Sequence, residues 1–334
     1  MTTHGHSSAT ALERPVRVAV VGAGAFGTLH ARAFAANRDC TLVSIVDHDE
    51  KRAAALAESV GATASHQSID DALSSGGIDA VSVVTAGAFH LAPTLAALDA
   101  GASVLIEKPV VLTSSDGRIL READARAEGF VMPAHILRFA GAYQELRHRV
   151  RHGAVGAPRA LSFRRHRTAD HDTLFPDIHP VLMTMIHDID LALWLTGATA
   201  RTVSARQVEA PGRNQPLAVW AEVETTDGAS LSFQVSWSLP SGSLPDALEV
   251  IGDAGALSLS LSPRLHDFDA ATPAIDDTLT PDAAHGALRE EIRTFVDAVR
   301  FHTPPAAVTL DDALNGLTLA EQIIRSAEQN RCVS

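Results

Sequence analysis

Lysine is almost absent from this 334-residue chain: Lys51 and Lys108 are its two lysines, and arginine supplies every other basic side chain. Cysteine is limited to Cys40 and Cys332, and tyrosine to Tyr143. Two cysteines cannot build a disulfide framework or a four-cysteine zinc site, so they read as unpaired thiols of a reducing compartment. Positive charge is short overall. A net charge of −13 argues against nucleic acid and anionic membrane as main partners, since both need a basic surface. No apolar run is long enough for a membrane span, and the N-terminal MTTHGHSSATALERP lacks the apolar core of a signal peptide. Residues 1–14 are therefore expected to be a disordered lead-in to a cytoplasmic protein. His4 and His6 then belong to a flexible tail rather than to a metal site.

What is present is globular: 46 % hydrophobic and 20 % charged residues, in a chain long enough for two domains. The chain is organised around VRVAVVGAGAFG, residues 16–27. A β-branched apolar run leads into Gly22-Ala23-Gly24-Ala25-Phe26-Gly27, the pattern of a buried strand, a tight glycine turn and a helix start. Gly22 permits the turn, Gly24 lets the backbone approach a pyrophosphate, and Gly27 lets the helix pack on its strand. The helix N-terminus offers N–H groups and partial positive charge to that diphosphate. A second apolar strand, Thr41–Val46, ends in Asp47, where an acid meets a ribose 2′-hydroxyl and repels a 2′-phosphate. NAD is expected ahead of NADP.

Further strands are expected at Ala80–Val84, Ser103–Ile106 and Phe130–His135, alternating with helices at Asp49–Ser59, Asp70–Leu73, His90–Ala100 and Ser114–Glu128. Such alternation implies parallel βαβ units in a doubly wound sheet. Ligands of these sheets sit beyond the carboxyl ends of the strands, where Thr85–His90 and Glu107–Pro109 lie. Past about residue 135 the pattern becomes alternating apolar and polar, at Ala160–Arg165, Thr202–Glu209, Ala218–Thr225, Ser230–Ser238 and Gly255–Ser260. That is an antiparallel sheet with one covered face, and Asp227-Gly228 marks a hairpin. Helices are expected at about Pro180–Leu195, Gly286–Phe301 and Leu310–Glu328. The expected domains are 15–134 and 135–334.

The glycine turn, the later acid, a helix running from His90 to Ala97-Leu98 and Ala100-Gly101, then Glu107-Lys108-Pro109, Arg138-Phe139 and His187-Asp188-Ile189-Asp190 form an ordered set. This set resembles the glucose–fructose oxidoreductase and inositol dehydrogenase (Gfo/Idh/MocA) family over nearly the whole chain. The resemblance implies an α/β protein with an N-terminal Rossmann domain and a C-terminal α/β domain whose open, largely antiparallel sheet packs against another subunit, in a homodimer or homotetramer. It implies NAD(P)-dependent hydride exchange with a hydroxyl or carbonyl of a sugar, cyclitol or related polyol. The residues it implies for catalysis are Lys108 and His187. Gly22, Gly24, Ala25, Phe26, Gly27, Asp47, Thr85, His90, Glu107 and Lys108 are expected at the cofactor, and Arg138, Asp190 and His179 at the substrate. No metal is expected, because the family needs none.

Physical chemistry supports both catalytic candidates. Lys108 follows a buried strand, where a cation is costly unless paired; the alternative is a structural ion pair with Glu107. On a helix, Met183, His187, Asp190 and Trp194 share one face beside a stripe of Leu182, Ile186, Ile189 and Leu193, as a pocket wall would. The family commonly has an aspartate where Met183 stands, and a thioether cannot orient an imidazolium. Asp190, or Asp177 and His179, would have to substitute. The family's Thr-Pro-Asn is Thr85-Ala86-Gly87 here, without the amide. Other dehydrogenase chemistries fail on composition: Tyr143 is followed four places on by Arg147, not lysine, and zinc-ligating cysteines are missing. A cofactor-binding regulator or redox sensor that has lost turnover is the alternative, favoured by Met183 and opposed by the retention of Lys108 and His187. Arg164, Arg165 and Arg167 either recognise an acidic substrate group or coat a strand.

Overall fold

A computed structural model describes residues 12–241, 244–261 and 286–333. The described residues form two compact units: 12–111, 115–134 and 286–310 in the first, and the remainder in the second. From sequence alone, everything past residue 135 belongs to the second. The structure instead returns one late helix to the first unit.

That first unit is a six-stranded, wholly parallel sheet. Its strands are β1 (Val16–Val21), β2 (Cys40–Val46), β3 (Ala64–His66), β4 (Ala80–Val83), β5 (Ser103–Glu107) and β6 (Val131–Ala134), in the order β3-β2-β1-β4-β5-β6. The central strands are valine- and isoleucine-rich and buried on both faces, as helices on both sides of a parallel sheet require. Connecting them are α1 (Ala25–Ala35), α2 (Glu50–Val60), α3 (Ile69–Ser74), α4 (Leu91–Asp99) and α5 (Ser114–Asp124). Asp49 accepts the Arg52 N–H to start α2, and Ser68 accepts the Asp71 N–H to start α3.

The helix that returns is Ala287–Arg300. Its Phe295 is fully buried, edge-on to Phe34 of α1 at 6.5 Å and to Phe130 at 6.1 Å. Burying such a ring contributes about 1.5–3 kcal/mol, which fastens a segment distant in sequence. Residues 1–11 of the expected lead-in, His4 and His6 among them, lie outside the described residues. Residues 12–14 differ from a disordered tail: Leu12 N–H donates to Arg300 O at 2.9 Å, and Arg14 donates to Asp79 at 2.7 Å.

The second unit begins with α6 (Gly141–Arg151) and β7 (Pro158–Thr168), followed by the short α7 (His171–Leu174). A π-helical turn over Val181–Met185 then leads into α8 (Ile186–Thr196). Strands β8 (Ala200–Val208), β9 (Ala218–Thr225), β10 (Ser230–Leu239), β11 (Asp246–Gly252) and β12 (Gly255–Leu261) complete a sheet ordered β12-β11-β7-β10-β9-β8. All neighbours are antiparallel except β7 and β10. Asp227-Gly228 makes the expected β9–β10 hairpin, with Gly228 at φ +84°. Leu161, Phe163, Leu231, Phe233 and Val235 form the buried face, with Phe163 and Phe233 stacked at 5.2 Å. In chain order α9 is the returning helix Ala287–Arg300, and α10 (Leu310–Gln329) ends the described chain.

Candidate active site

In the first unit, β1 runs into Gly22 at φ +105°, where a side chain would also meet Val84 O at 2.6 Å. A Cβ on Gly27 would collide with the carbonyl of Gly22, so the start of α1 lies flat against the turn. Nothing lies within 4 Å of the place a Gly24 side chain would occupy. No side chain caps α1 and no acid sits in its first turn. An open cradle over uncapped helix N–H groups fits the diphosphate of a dinucleotide.

Asp47 closes the other end of this loop. It is 7 % exposed, and its Oδ2 accepts the Ala23 N–H at 2.8 Å while Oδ1 accepts the Asp49 N–H at 2.9 Å. Arg52 Nη2 also donates to Oδ1 at 2.8 Å, a partner that the sequence pattern did not single out. Burial alone would raise the Asp47 carboxyl, but Arg52 and the two backbone N–H groups outweigh it and hold it below the usual range.

At the ends of β4 and β5 the expected cofactor residues divide. Thr85 donates to Phe89 O at 3.1 Å. His90 is 1 % exposed, with its ring nitrogens 2.9 Å from Thr85 O and 2.9 Å from Pro109 O, so it ties two loops together from beneath. Burial lowers its pKa against the pull of those carbonyls. Glu107 is turned inward. Its Oε1 lies 3.2 Å from His30 Nε2 and its Oε2 accepts the Lys108 N–H at 3.1 Å. The side chains of His90 and Glu107, both expected at the cofactor, are buried and bonded to the backbone at the ends of β4 and β5. Lys108 is half-buried.

In the second unit, Val181–Asp190 is buried throughout except at Met183 and His187, four residues apart and both half-buried. The π-helical turn holds Thr184 inward, where it accepts from Trp237 Nε1 at 3.0 Å. Asp188 and Asp190, on either side of His187, are both committed to arginines. Arg165 of β7 donates to Asp188 at 2.8 Å and also pairs with Asp246 of β11. Arg138 donates to Asp190 from Nη2 at 2.6 Å and Nε at 3.0 Å, and to Asp312 at 2.9 Å.

Arg138 and Asp190, expected to face substrate, therefore spend charge on each other, at 4 % and 3 % exposure. His179 accepts the Val181 N–H at 3.2 Å, and burial pushes its pKa down to about 4, so it stands neutral. Of the three adjacent arginines, Arg165 and Arg167 are bound to Asp246. Nearby, His166 lies against Ser236 at 2.7 Å, and Asp172 accepts from the backbone of Gln215 at 2.9 Å.

A parallel sheet with an open glycine cradle, an acid at the ribose position and a lysine after β5 defines a dinucleotide-dependent oxidoreductase. The chain belongs to the GFO/IDH/MocA oxidoreductase family: residues 16–135 match its NAD-binding Rossmann fold and residues 143–258 its C-terminal domain. It is 30 % identical over 296 residues to UDP-N-acetylglucosamine 3-dehydrogenase of Acidithiobacillus ferrooxidans, covering 86 % of this chain and 90 % of the relative. An inositol 2-dehydrogenase of Saccharopolyspora erythraea is 31 % identical over 256 residues, 73 % of each chain. The fold matches scyllo-inositol dehydrogenase of Lactobacillus casei, solved with NAD(H) and scyllo-inositol, at a TM-score of 0.83 and 21 % identity, covering 96 % of this chain and 99 % of that one. These relatives are enzymes and lend nothing to the regulator alternative. Among the described residues, no helix is long and apolar enough to cross a membrane.

Proposed function

We propose that this chain is a dehydrogenase acting on a secondary hydroxyl of a cyclitol or of a sugar, nucleotide-linked sugars included, with Lys108 and His187 as its catalytic residues. The observation that carries it is the open, uncapped cradle at Gly24 beside the anchored Asp47, in a family whose named relatives oxidise such alcohols. NAD, when bound, supplies the hydride acceptor. Gly22–Gly27 would hold its diphosphate and Asp47 its adenosine ribose.

The Lys108 ammonium stabilises negative charge developing on the substrate oxygen. His187 takes the hydroxyl proton, its imidazole being the side chain suited to proton transfer near neutral pH. Met183 supplies no charge to that imidazole. A neutral His179 and the Arg138–Asp190 pair support the substrate side without carrying net charge into it.

The test is reduction of NAD across a panel of inositols, free sugars and nucleotide sugars, with Lys108→Met and His187→Ala beside the wild type. Turnover on one panel member that both substitutions abolish supports the assignment. Tight NAD binding without turnover on any member overturns it.

Two coarser readings accompany it. The chain works as a homodimer or homotetramer through the outer face of the second sheet, where Trp220 and Ile251 are 41 % and 50 % exposed. Cytoplasmic location is inferred from the free thiols.

A further inference from the structure

The first unit holds a buried polar chain that cofactor binding does not use. Ser82 on β4 and His30 on α1 are both 0 % exposed, and Ser82 Oγ lies 3.0 Å from His30 Nδ1. His30 Nε2 lies 3.2 Å from Glu107 Oε1. Glu107 Oε2 accepts the Lys108 backbone N–H at 3.1 Å.

Glu291 on α9 completes the group. It is fully buried, neither of its carboxyl oxygens has a hydrogen-bond partner, and Glu107 is the charged neighbour that acts on it. Among the described residues an anion at that position would have no hydrogen-bond donor, and it would face a second carboxylate. Both burial and Glu107 push the Glu291 carboxyl well above the usual glutamate range. Two carboxyl groups in one dry site cannot both ionise at ordinary pH.

We propose that Glu107 and Glu291 are a carboxylate–carboxylic acid pair holding one proton, and that Glu291, the protonated member, is a positioning residue that keeps the strand end presenting Lys108 at a single negative charge. The helix α9 returns to the first unit carrying this acid on the same face as Phe295, four residues on. Loss of the proton would add a second negative charge to that of Glu107, the residue that precedes Lys108. Among the described residues, Glu107 of β5 is the titratable group that acts on it, and His30 of α1 lies 3.2 Å from Glu107. The inference rests on the dehydrogenase reading only for the role of Lys108; the shared proton stands without it.

The test has three parts. Infrared spectra of whole wild-type protein at pH 7, with carbon-13 in the glutamate carboxyls, should show a protonated carboxylic-acid band that shifts with the label. This arm needs no variant, and absence of a glutamate acid band overturns the proposal. In Glu291→Gln the band should vanish; its persistence overturns the proposal too.

Denaturant unfolding gives the second part. Because folding takes up a proton at Glu291, the wild-type folding constant relative to Glu291→Gln should fall roughly tenfold per pH unit above about pH 4.3, until the raised pKa is reached. Parallel curves from pH 5 to 8 would overturn it. The third is NAD affinity by nicotinamide fluorescence. Wild type and Glu291→Gln should agree within about twofold at pH 7 and diverge as pH rises, the wild type weakening. A common pH profile would leave no place for the positioning role, whether or not any alcohol is turned over.

Discussion

Two buried clusters, one in each unit, keep their charge neutral by opposite means. In the second, guanidinium meets carboxylate: Arg165 lies between Asp188 and Asp246, and Arg138 between Asp190 and Asp312. In the first, Glu107 and Glu291 sit with His30 and no arginine, and protonation rather than pairing removes the excess charge. Arginine stays charged at any ordinary pH, so the second arrangement is fixed across the neutral range. The first depends on a proton, and therefore on pH. The paired cluster flanks the helix that carries His187, while the protonated cluster underlies the strand that presents Lys108.

The largest break in this comparison is Arg165→Met. It strands Asp188, at 4 % exposure, leaves Asp246 with Arg167 alone, and should cost about 3–5 kcal/mol in urea unfolding. Replacing Asp188 by Leu in the same chain should return part of that loss, because the stranded charge and not the missing bridge is the main cost. A loss below about 1 kcal/mol would mean the pair is wetter than its burial shows.

Next is Lys108→Met. If Lys108 stabilises developing charge, kcat should fall by about 10²–10³, or about 2.7–4 kcal/mol of barrier, with unfolding midpoint and NAD affinity nearly unchanged. An equal fall in NAD affinity would make Lys108 a ground-state binding residue. Asp47→Asn should have a smaller effect. It leaves Arg52 beside the ribose position without its partner, so the NAD-to-NADP preference should move toward NADP by about tenfold, or about 1.4 kcal/mol. An unmoved ratio of affinities would confine Asp47 to anchoring Ala23.

The same contrast decides what could be read in advance. The parallel sheet was legible because its strands are long β-branched runs punctuated by Gly22–Gly27 and by glutamate at the end of β5. Strand β3 escaped because it has three residues, all half-buried. Helix α6 escaped because Tyr143, Leu146 and Val150 are its only buried positions among charged neighbours, and β11 because its alternation is short and preceded by Ser and Pro. Arg138 and Asp190 carried a real signal, polar residues in an apolar setting, but that pattern marks a buried ion pair as readily as a substrate wall. Arg165–Asp188 and Glu107–Glu291 join residues 23 and 184 positions apart, and no local spacing encodes such contacts. The return of α9 is invisible for the same reason, although a charged residue at 291 amid Ile292, Phe295 and Val296 was its trace.

The finest test opposes the two units by pH. Asp246 is pulled upward by burial, but Arg165 and Arg167 outweigh that and hold its carboxyl below the ordinary value. Its stabilising contribution is therefore complete above about pH 3.9 and is lost as pH falls through the depressed folded value. Glu291 runs the other way: its contribution is complete at acid pH and is lost as pH rises. Each slope is bounded at about 1.4 kcal/mol per pH unit, the limit for one proton. Asp246→Asn should flatten only the acid limb of the stability curve, and Glu291→Gln only the limb toward alkaline pH. If either substitution flattened both limbs, the clusters would be coupled, and neutralisation by pairing and by protonation would be parts of one network rather than two separate solutions.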